Sequence, residues 1–353
     1  MPVEYGSLRV SPVLTSARRL IRDTKGHLMS RIKLIALGAV AALALAGCSS
    51  ATTEESPSAS ENPNASIKIC VYTHGDGGTF WSVAQKGAEA AAADLGVTLD
   101  YQGSSNDAAK QASTIQAGIA AGCSGIAASA PDPEAIKSAM LAAHDAGIPT
   151  VTMNSGSSVF KDLGAFTHIG QDEVVAGRAA GEKFNEMGLK HILCPIQEAN
   201  NIGLTDRCKG AAETFNGKVT NFNLDGGLAD LTAASAKLKA ALQADSTIDG
   251  IFALNADIAA KAALPAAQSL GLDLKIGTVD MSAEALQAIK DGTMVFAIDQ
   301  QQYAQGYLSV TLLYLALSNG NQVGGGTPVY SGPGFVTADN VDQVLDLVTA
   351  GTR

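Results

Sequence analysis

Short apolar runs rich in β-branched residues recur between Ile67 and Val279 at nearly even intervals. The first four, Ile67–Thr73, Val97–Gln102, Gly125–Ser129 and Pro149–Met153, start 30, 28 and 24 residues apart, with Ala-rich stretches of helical period near 80–95, 107–121 and 133–146. After a crossing near Phe166–Gly170 the pattern resumes, with strands at 191–195, 218–223, 249–253 and 274–279 starting 27, 31 and 25 apart, and helices near 203–216, 230–244 and 256–270. Apolar strands separated by one helix each suit right-handed βαβ crossovers, whose parallel sheets are covered on both faces. Two similar α/β lobes are expected, and 353 residues with 46% hydrophobic positions suffice to bury both cores. That composition, with 16% charged residues, sets aside the disordered and collagen-like classes despite 37 glycines.

Ahead of this body, Arg31 and Lys33 precede the apolar run Leu34–Ala46, which is followed by Gly47-Cys48-Ser49-Ser50. Basic, then apolar, then small is the order of a secretion signal. The apolar run has 13 residues, too few to cross about 30 Å of hydrocarbon as a helix. Its ending, Leu45-Ala46-Gly47-Cys48, resembles the bacterial lipoprotein lipobox, and the resemblance implies that Cys48 takes a lipid and anchors the protein at the outer face of the cell membrane. From Ser49 to about Ser66 the chain is rich in Ser, Thr, Glu, Pro and Asn and suits a flexible linker. The expected limits are 1–47 for an upstream extension plus signal peptide and 48–66 for the lipidated Cys and linker. Residues 1–28 fit no part of the signal, and Met29 is the expected start.

The formal charge of -10 hides a stronger acidity. Residues 1–47 carry seven of the 24 Lys/Arg and two of the 34 Asp/Glu, so the remainder holds 17 basic against 32 acidic side chains, a net of -15. A nucleic-acid partner does not fit, since phosphate binding rests on clustered positive charge. Outside the cytoplasm disulfides can form, and Cys70, Cys123, Cys194 and Cys208 remain once Cys48 is set aside. Cys194 closes a strand-like run and Cys208 lies 14 positions on in the next helix, so a Cys194–Cys208 bridge is expected. Cys70–Cys123 is the second candidate, against the alternative of small buried hydrophobes. Without a Cys-x-x-Cys or Cys/His cluster, no metal is expected.

In an open parallel sheet the ligand lies beyond the carboxyl ends of the strands. The residues there are His74-Gly75-Asp76-Gly77-Gly78 before Phe80-Trp81, then Ala130-Pro131-Asp132, Asn154-Ser155-Gly156, Gln197-Glu198-Ala199-Asn200, Asn255, Asp280 and Asp299-Gln300, with Arg207 on a nearby helix. Amides and carboxylates beside aromatics fit a polyhydroxylated neutral molecule: carboxylates and amides take hydroxyls, Arg207 donates in a fork, and aromatic faces cover C–H patches. Rival chemistries are weaker. Gly75-x-Gly77 and Asp100 mimic a dinucleotide fingerprint, but Phe80 stands where its third glycine belongs. Neither a Gly-x4-Gly-Lys-Ser/Thr loop nor a Gly-x-Ser-x-Gly elbow is present, and His27, His74, His144, His168 and His191 show no metal-ligand spacing. No cofactor is therefore expected. Asp76, Asp172, Glu198 and Asp280 could still converge for glycosidase work, which keeps a sugar-acting enzyme as an alternative.

From Ile67 to about Val336 the chain resembles the solute-binding proteins of bacterial sugar ABC transporters, the type I periplasmic-binding fold of the ribose-binding group. The resemblance is carried by Phe80-Trp81 followed by Ser82-Val83 and Gly87-Ala88, by Gly147-Ile148-Pro149 leading to Asn154, and by His168-Ile169-Gly170-Gln171-Asp172. Ile251-Phe252-Ala253-Leu254-Asn255-Ala256-Asp257, Gly277-Thr278-Val279-Asp280 and Ala297-Ile298-Asp299-Gln300 add to it. It implies two Rossmann-like lobes, 67–169 with 301–328 and 170–300 with 329–353, joined by a hinge of three crossings near 168–172, 298–302 and 325–335. It further implies that Phe80 and Trp81 sandwich a sugar ring, that Asn154, Arg207, Asn255, Asp280 and Gln300 bind hydroxyls, and that Asp172 either contacts ligand or orders the crossing. His74 and Asp76 lie in a Gly-rich loop whose length departs from the family pattern. Ser155 stands where ribose-binding relatives have Arg, and Leu228 or its neighbours where they have an aromatic, so pentose, hexose and acyclic polyol stay open. The implied function is the monomeric substrate-binding component of an ABC importer that presents a monosaccharide or sugar alcohol to the permease; a sensory sugar- or autoinducer-binding module is the alternative.

Overall fold

The structure, a computed structural model, describes residues 62–353. The expected signal, Cys48 and most of the linker lie outside the described residues. Among the described residues no helix is long and apolar enough to cross a membrane.

The chain runs through β1 (Lys68–Thr73), α1 (Gly78–Leu95), β2 (Thr98–Gly103), α2 (Ala108–Ala120), β3 (Gly125–Ser129), α3 (Pro133–Asp145), β4 (Thr150–Met153) and β5 (Thr167–Gly170). It continues through α4 (Glu173–Glu186), β6 (His191–Ile196), α5 (Ile202–Thr214), β7 (Lys218–Asn223), α6 (Leu231–Ala244), β8 (Gly250–Ala253), α7 (Ala256–Ile258), α8 (Leu264–Ser269) and β9 (Lys275–Val279). Last come α9 (Ala283–Lys290), β10 (Phe296–Asp299), α10 (Gln302–Asn319), β11 (Val329–Tyr330), β12 (Gly334–Val336) and α11 (Leu345–Ala350). The expected strands are all present to within a residue at either end. Phe166–Gly170, read as a crossing, instead ends in strand β5, whose four residues are all buried. The single helix expected at 256–270 is divided: a π-helical turn at 259–263 separates α7 from α8, where Pro265 has no N–H to give the helical ladder.

Two six-stranded sheets result, ordered β11-β5-β4-β3-β1-β2 and β12-β10-β9-β8-β6-β7. All pairs are parallel except β10–β12. Central strands are apolar on both faces and each face buries its own cluster. Ile69 and Val71 pack under α1 and α10, while Cys70 and Tyr72 pack under α2 and α3. Ile192 and Cys194 face α4 and α5, and Leu193 faces the other side. Edge strands β2 and β7 are half exposed and accordingly more polar. Sheet membership shows the chain passing from one sheet to the other after Gly170, after Asp299 and after Tyr330. The third passage thus falls two residues beyond the expected 328/329 limit, because β11 pairs with β5.

The halves repeat one packing device. A Cβ at Gly87 of α1 would fall on the Tyr303 carbonyl of α10, and one at Gly306 on the Ala84 carbonyl; Gly177 of α4 and Gly210 of α5 meet the Arg207 and Val174 carbonyls in the same way. Cys194 is bonded to Cys208, tying β6 to α5, and Cys70 to Cys123, tying β1 to the segment after α2, with Cα separations of 6.0 and 5.9 Å.

Candidate ligand-binding site

Both sheets point their carboxyl ends into one crevice, where a cavity of about 280 Å³ lies between the halves. Nine of the ten expected site residues line it: His74, Asp76, Phe80, Trp81, Asn154, Arg207, Asn255, Asp280 and Gln300. Asp172 does not. Its Oδ1 accepts the Val175 N–H at 3.0 Å and caps α4, just past the first passage between the sheets.

At the end of β1, Gly77 and Gly78 take φ of 61° and 64°, the left-handed backbone that lets the loop turn into α1 without a side-chain cap. Trp81 lies against this loop so closely that a Cβ on Gly75 would strike its indole. The Trp81 ring meets Phe80 at 4.8 Å and 75°, and His74 at 4.9 Å and 83°. These are edge-to-face contacts. They leave no slot between Phe80 and Trp81, so the expected aromatic sandwich is replaced by a contiguous wall of three rings. Asp76 is exposed at the rim and accepts the Ser105 hydroxyl at 2.7 Å.

The floor of the cavity is a polar chain that joins the two halves. Asn154 after β4 and Asp280 after β9 occupy equivalent places: each has left-handed backbone, φ 61° and 69°, and each N–H reaches a strand carbonyl, Ile169 and Ile298, at 2.9 Å. Asn and Asp tolerate this conformation better than most side chains, and it holds both side chains inward. Asn154 Nδ2 donates to Gln300 Oε1 at 3.4 Å, Gln300 Nε2 donates to Asp280 Oδ1, and Asn255 Nδ2 donates to Asp280 Oδ2 at 3.3 Å. Asn255 also caps α7 through Oδ1. Burial pushes the Asp280 carboxyl up to about 6, against the Arg207 charge and the amide hydrogen bonds that favour its ionised form.

Arg207 is buried and gripped by Glu173: Nε donates to Oε2 at 2.6 Å and Nη2 to Oε1 at 3.0 Å, while Nη1 donates to the Leu254 carbonyl at 3.0 Å. Burial opposes its charge, but Glu173, with Asp280 and Glu198 beyond, more than offsets it and keeps the guanidinium protonated. A guanidinium has five N–H donors, so those bonds leave further donors free on the two Nη atoms. His74 shares its Nδ1 with the Ser129 hydroxyl at 2.8 Å, and burial lowers its pKa, so it is neutral near pH 7. With Arg207 matched by Glu173, the cavity lining carries an excess of carboxylates, from Asp76, Glu198, Asp257 and Asp280. Such a lining repels anions and receives hydroxyl donors.

Contacts also cross the mouth. Thr79 Oγ1 donates to Asp257 Oδ2 at 3.3 Å, Ile202 N–H donates to the Pro131 carbonyl at 3.0 Å, and His74 Nε2 stands 3.7 Å from Glu198 Oε2. The halves are closed on each other. Glu173, Asn201 and Asp257 were not singled out from sequence; the buried Arg207 was the available signal for Glu173, since a buried guanidinium requires a carboxylate. Leu228 lines the cavity, and Ser155 lies in its wall with Oγ donating to Asn154 Oδ1 at 3.0 Å.

The family profile described as periplasmic binding protein domain matches residues 69–322. A carbohydrate transporter of Acidothermus cellulolyticus 11B, solved in complex with myo-inositol, superposes with a TM-score of 0.78 at 40% identity, over 81% of this chain and 99% of that one. The xylose/arabinose-binding protein of Sulfolobus acidocaldarius is 24% identical over 79% of this chain and 73% of its own length. The ribose import binding protein of Bacillus subtilis is 26% identical over 65% and 75%. Paired parallel sheets, three passages of the chain between them, an interlobe cavity of amides and carboxylates, and these matches lead to one conclusion: the chain belongs to the periplasmic binding protein family, with the type I fold.

Proposed function

We propose that the protein captures a neutral polyhydroxylated ring, a cyclitol or monosaccharide, between its lobes and presents it to an ABC permease without transforming it. The Asn154–Gln300–Asp280–Asn255 chain beside Arg207 carries this reading. It offers hydroxyls both acceptors and donors from the two halves at once, and both Asp280 oxygens already accept amide bonds, which suits gripping rather than acid–base work. The neighbour solved with myo-inositol supports a cyclitol, and the relatives named for xylose, arabinose and ribose support pentoses.

The mechanism is closure. A ligand that touches both lobes binds the closed form better than the open one, and by that difference it shifts the population toward closed. The reading includes the lobes moving as units about the three passages, and action as a monomer. It also places the protein outside the cytoplasm, with a lipid on Cys48 and a flexible linker holding it near the permease at a raised local concentration. Trp81 is the only tryptophan and stands in the cavity wall, so its fluorescence reports occupancy. Titration with myo-inositol, inositol isomers, pentoses and hexoses is expected to give a saturable change with at least one of them; silence across the panel contradicts the assignment.

A further inference from the structure

Beside the first cavity lies a second chamber, about 460 Å³ against about 280 Å³. His74, Asn106, Gln197, Glu198, Asn201 and Leu228 border both, so the chambers are neighbours across a single layer of side chains. That layer is unevenly braced. Asn201 Nδ2 donates to Glu198 Oε2 at 2.6 Å, but His74 and Glu198 approach only to 3.7 Å, too far for a hydrogen bond. Gln197 is 4% exposed, and its Oε1 has no hydrogen-bond partner among the described residues. A buried amide oxygen left unpaired is costly unless something else supplies a donor, and Gln197 is one of the residues bordering both chambers.

The far walls of the second chamber are also suited to hydroxyls. Asp132 and Asp225 each commit Oδ1 to a backbone N–H, Ala135 at 3.3 Å and Ala199 at 2.9 Å, which leaves the second oxygen of each carboxylate without a hydrogen bond among the described residues. Pro131, Leu228 and Ala229 provide apolar surface for ring C–H groups, and no Lys or Arg lines the chamber, so a phosphorylated or acidic group finds no partner.

We propose that the site takes a two-ring solute: an O-glycosylated polyol or disaccharide whose first ring sits on the Asp280–Arg207 floor and whose glycosyl substituent occupies the second chamber, with its linkage passing Gln197. This rests on the reading of the first cavity as a neutral polyol site. The test is calorimetric titration with a paired panel, each free ring beside its O-glycoside, beginning with myo-inositol and galactosyl-myo-inositol and including pentoses and hexoses with their disaccharides. At least one glycoside is expected to bind tenfold or more tighter than its parent ring. Ala108→Trp narrows the second chamber from α2, and Ala229→Trp does so from the opposite lobe; neither residue borders the first cavity. Either variant, shown folded by its melting curve, is expected to lose that gain while the parent ring's Kd stays within twofold. Parent rings binding with no glycoside tighter than its parent overturns the inference and leaves the single-ring function standing. A gain that survives both Trp variants places the substituent elsewhere and also overturns it. No binding by either member of any pair removes the underlying function as well.

Discussion

Asp280 is the residue on which ligand and fold make opposite demands. Its folded pKa of about 6 lies above the ordinary 3.8, so its contribution to stability is complete below about 3.8 and is lost as pH rises through about 6. Ligand hydroxyls need the ionised form as their acceptor. Affinity is therefore expected to fall as pH drops below about 6, a trend read from Kd by titration calorimetry between pH 7.5 and 5; an affinity that improves on acidification contradicts the role. Hydrogen bonds to a charged group contribute about 1.5–3 kcal/mol each, so Asp280→Ala is expected to weaken binding roughly 10- to 100-fold or more while the melting temperature of the unliganded protein stays close to wild type. An equal loss of fold and affinity would assign Asp280 to structure instead. At this scale the sequence showed which residues follow the strands but not how each would be used. Asp132 and Asp172 cap helices, Asn255 caps and faces the cavity, and Asp280 faces it outright. All are short polar side chains at strand-to-helix turns, and only backbone direction separates them.

Among the elements, α4 and α5 decide where Arg207 stands. Their close approach depends on Gly177 and Gly210, and the Cys194–Cys208 bond fixes α5 to β6 one residue from Arg207. Gly177→Val is expected to force the helices apart, to part Arg207 from Glu173, and to lower the melting temperature by several degrees with at least tenfold weaker binding; unchanged affinity would show that the packing does not position Arg207. Closing a loop of this length by a disulfide contributes about 3 kcal/mol. Thiol alkylation of the purified, unreduced protein before and after reduction checks both bridges, with labelling of Cys70, Cys123, Cys194 and Cys208 expected only after reduction and a lower melting temperature in the reduced form. Ready labelling beforehand contradicts them. Six of the eight strands between Ile67 and Val279 were legible because buried parallel strands are continuous apolar runs, and the half-exposed edges β2 and β7 were legible from the even spacing of the series. Strand β5 was not, since Thr167–Gly170 holds Thr, His and Gly and is buried by its place between β4 and β11 rather than by its own apolarity. The edge-on packing of Phe80 on Trp81 was likewise invisible, because it depends on the Gly75 loop folding under the indole.

Among the described residues, few contacts hold the mouth shut: one Thr–Asp hydrogen bond, one backbone hydrogen bond, and a His74–Glu198 approach too long to be one. Polar ties of this kind contribute about 0.5–1.5 kcal/mol each, so the solute, by bonding to both floors, supplies the differential affinity that decides between open and closed. Small-angle scattering is expected to show a smaller radius of gyration on adding a solute that binds; an unchanged radius at saturation would separate binding from closure. Where that solute sits is read from a crystal structure of the liganded protein. Density is expected for one neutral polyol ring in the interlobe cavity, with hydroxyls at about 3 Å from Asp280, Asn255, Gln300 and a free Arg207 N–H. A solute bound outside the crevice, or inside it with Asp280 and Arg207 untouched, would contradict it.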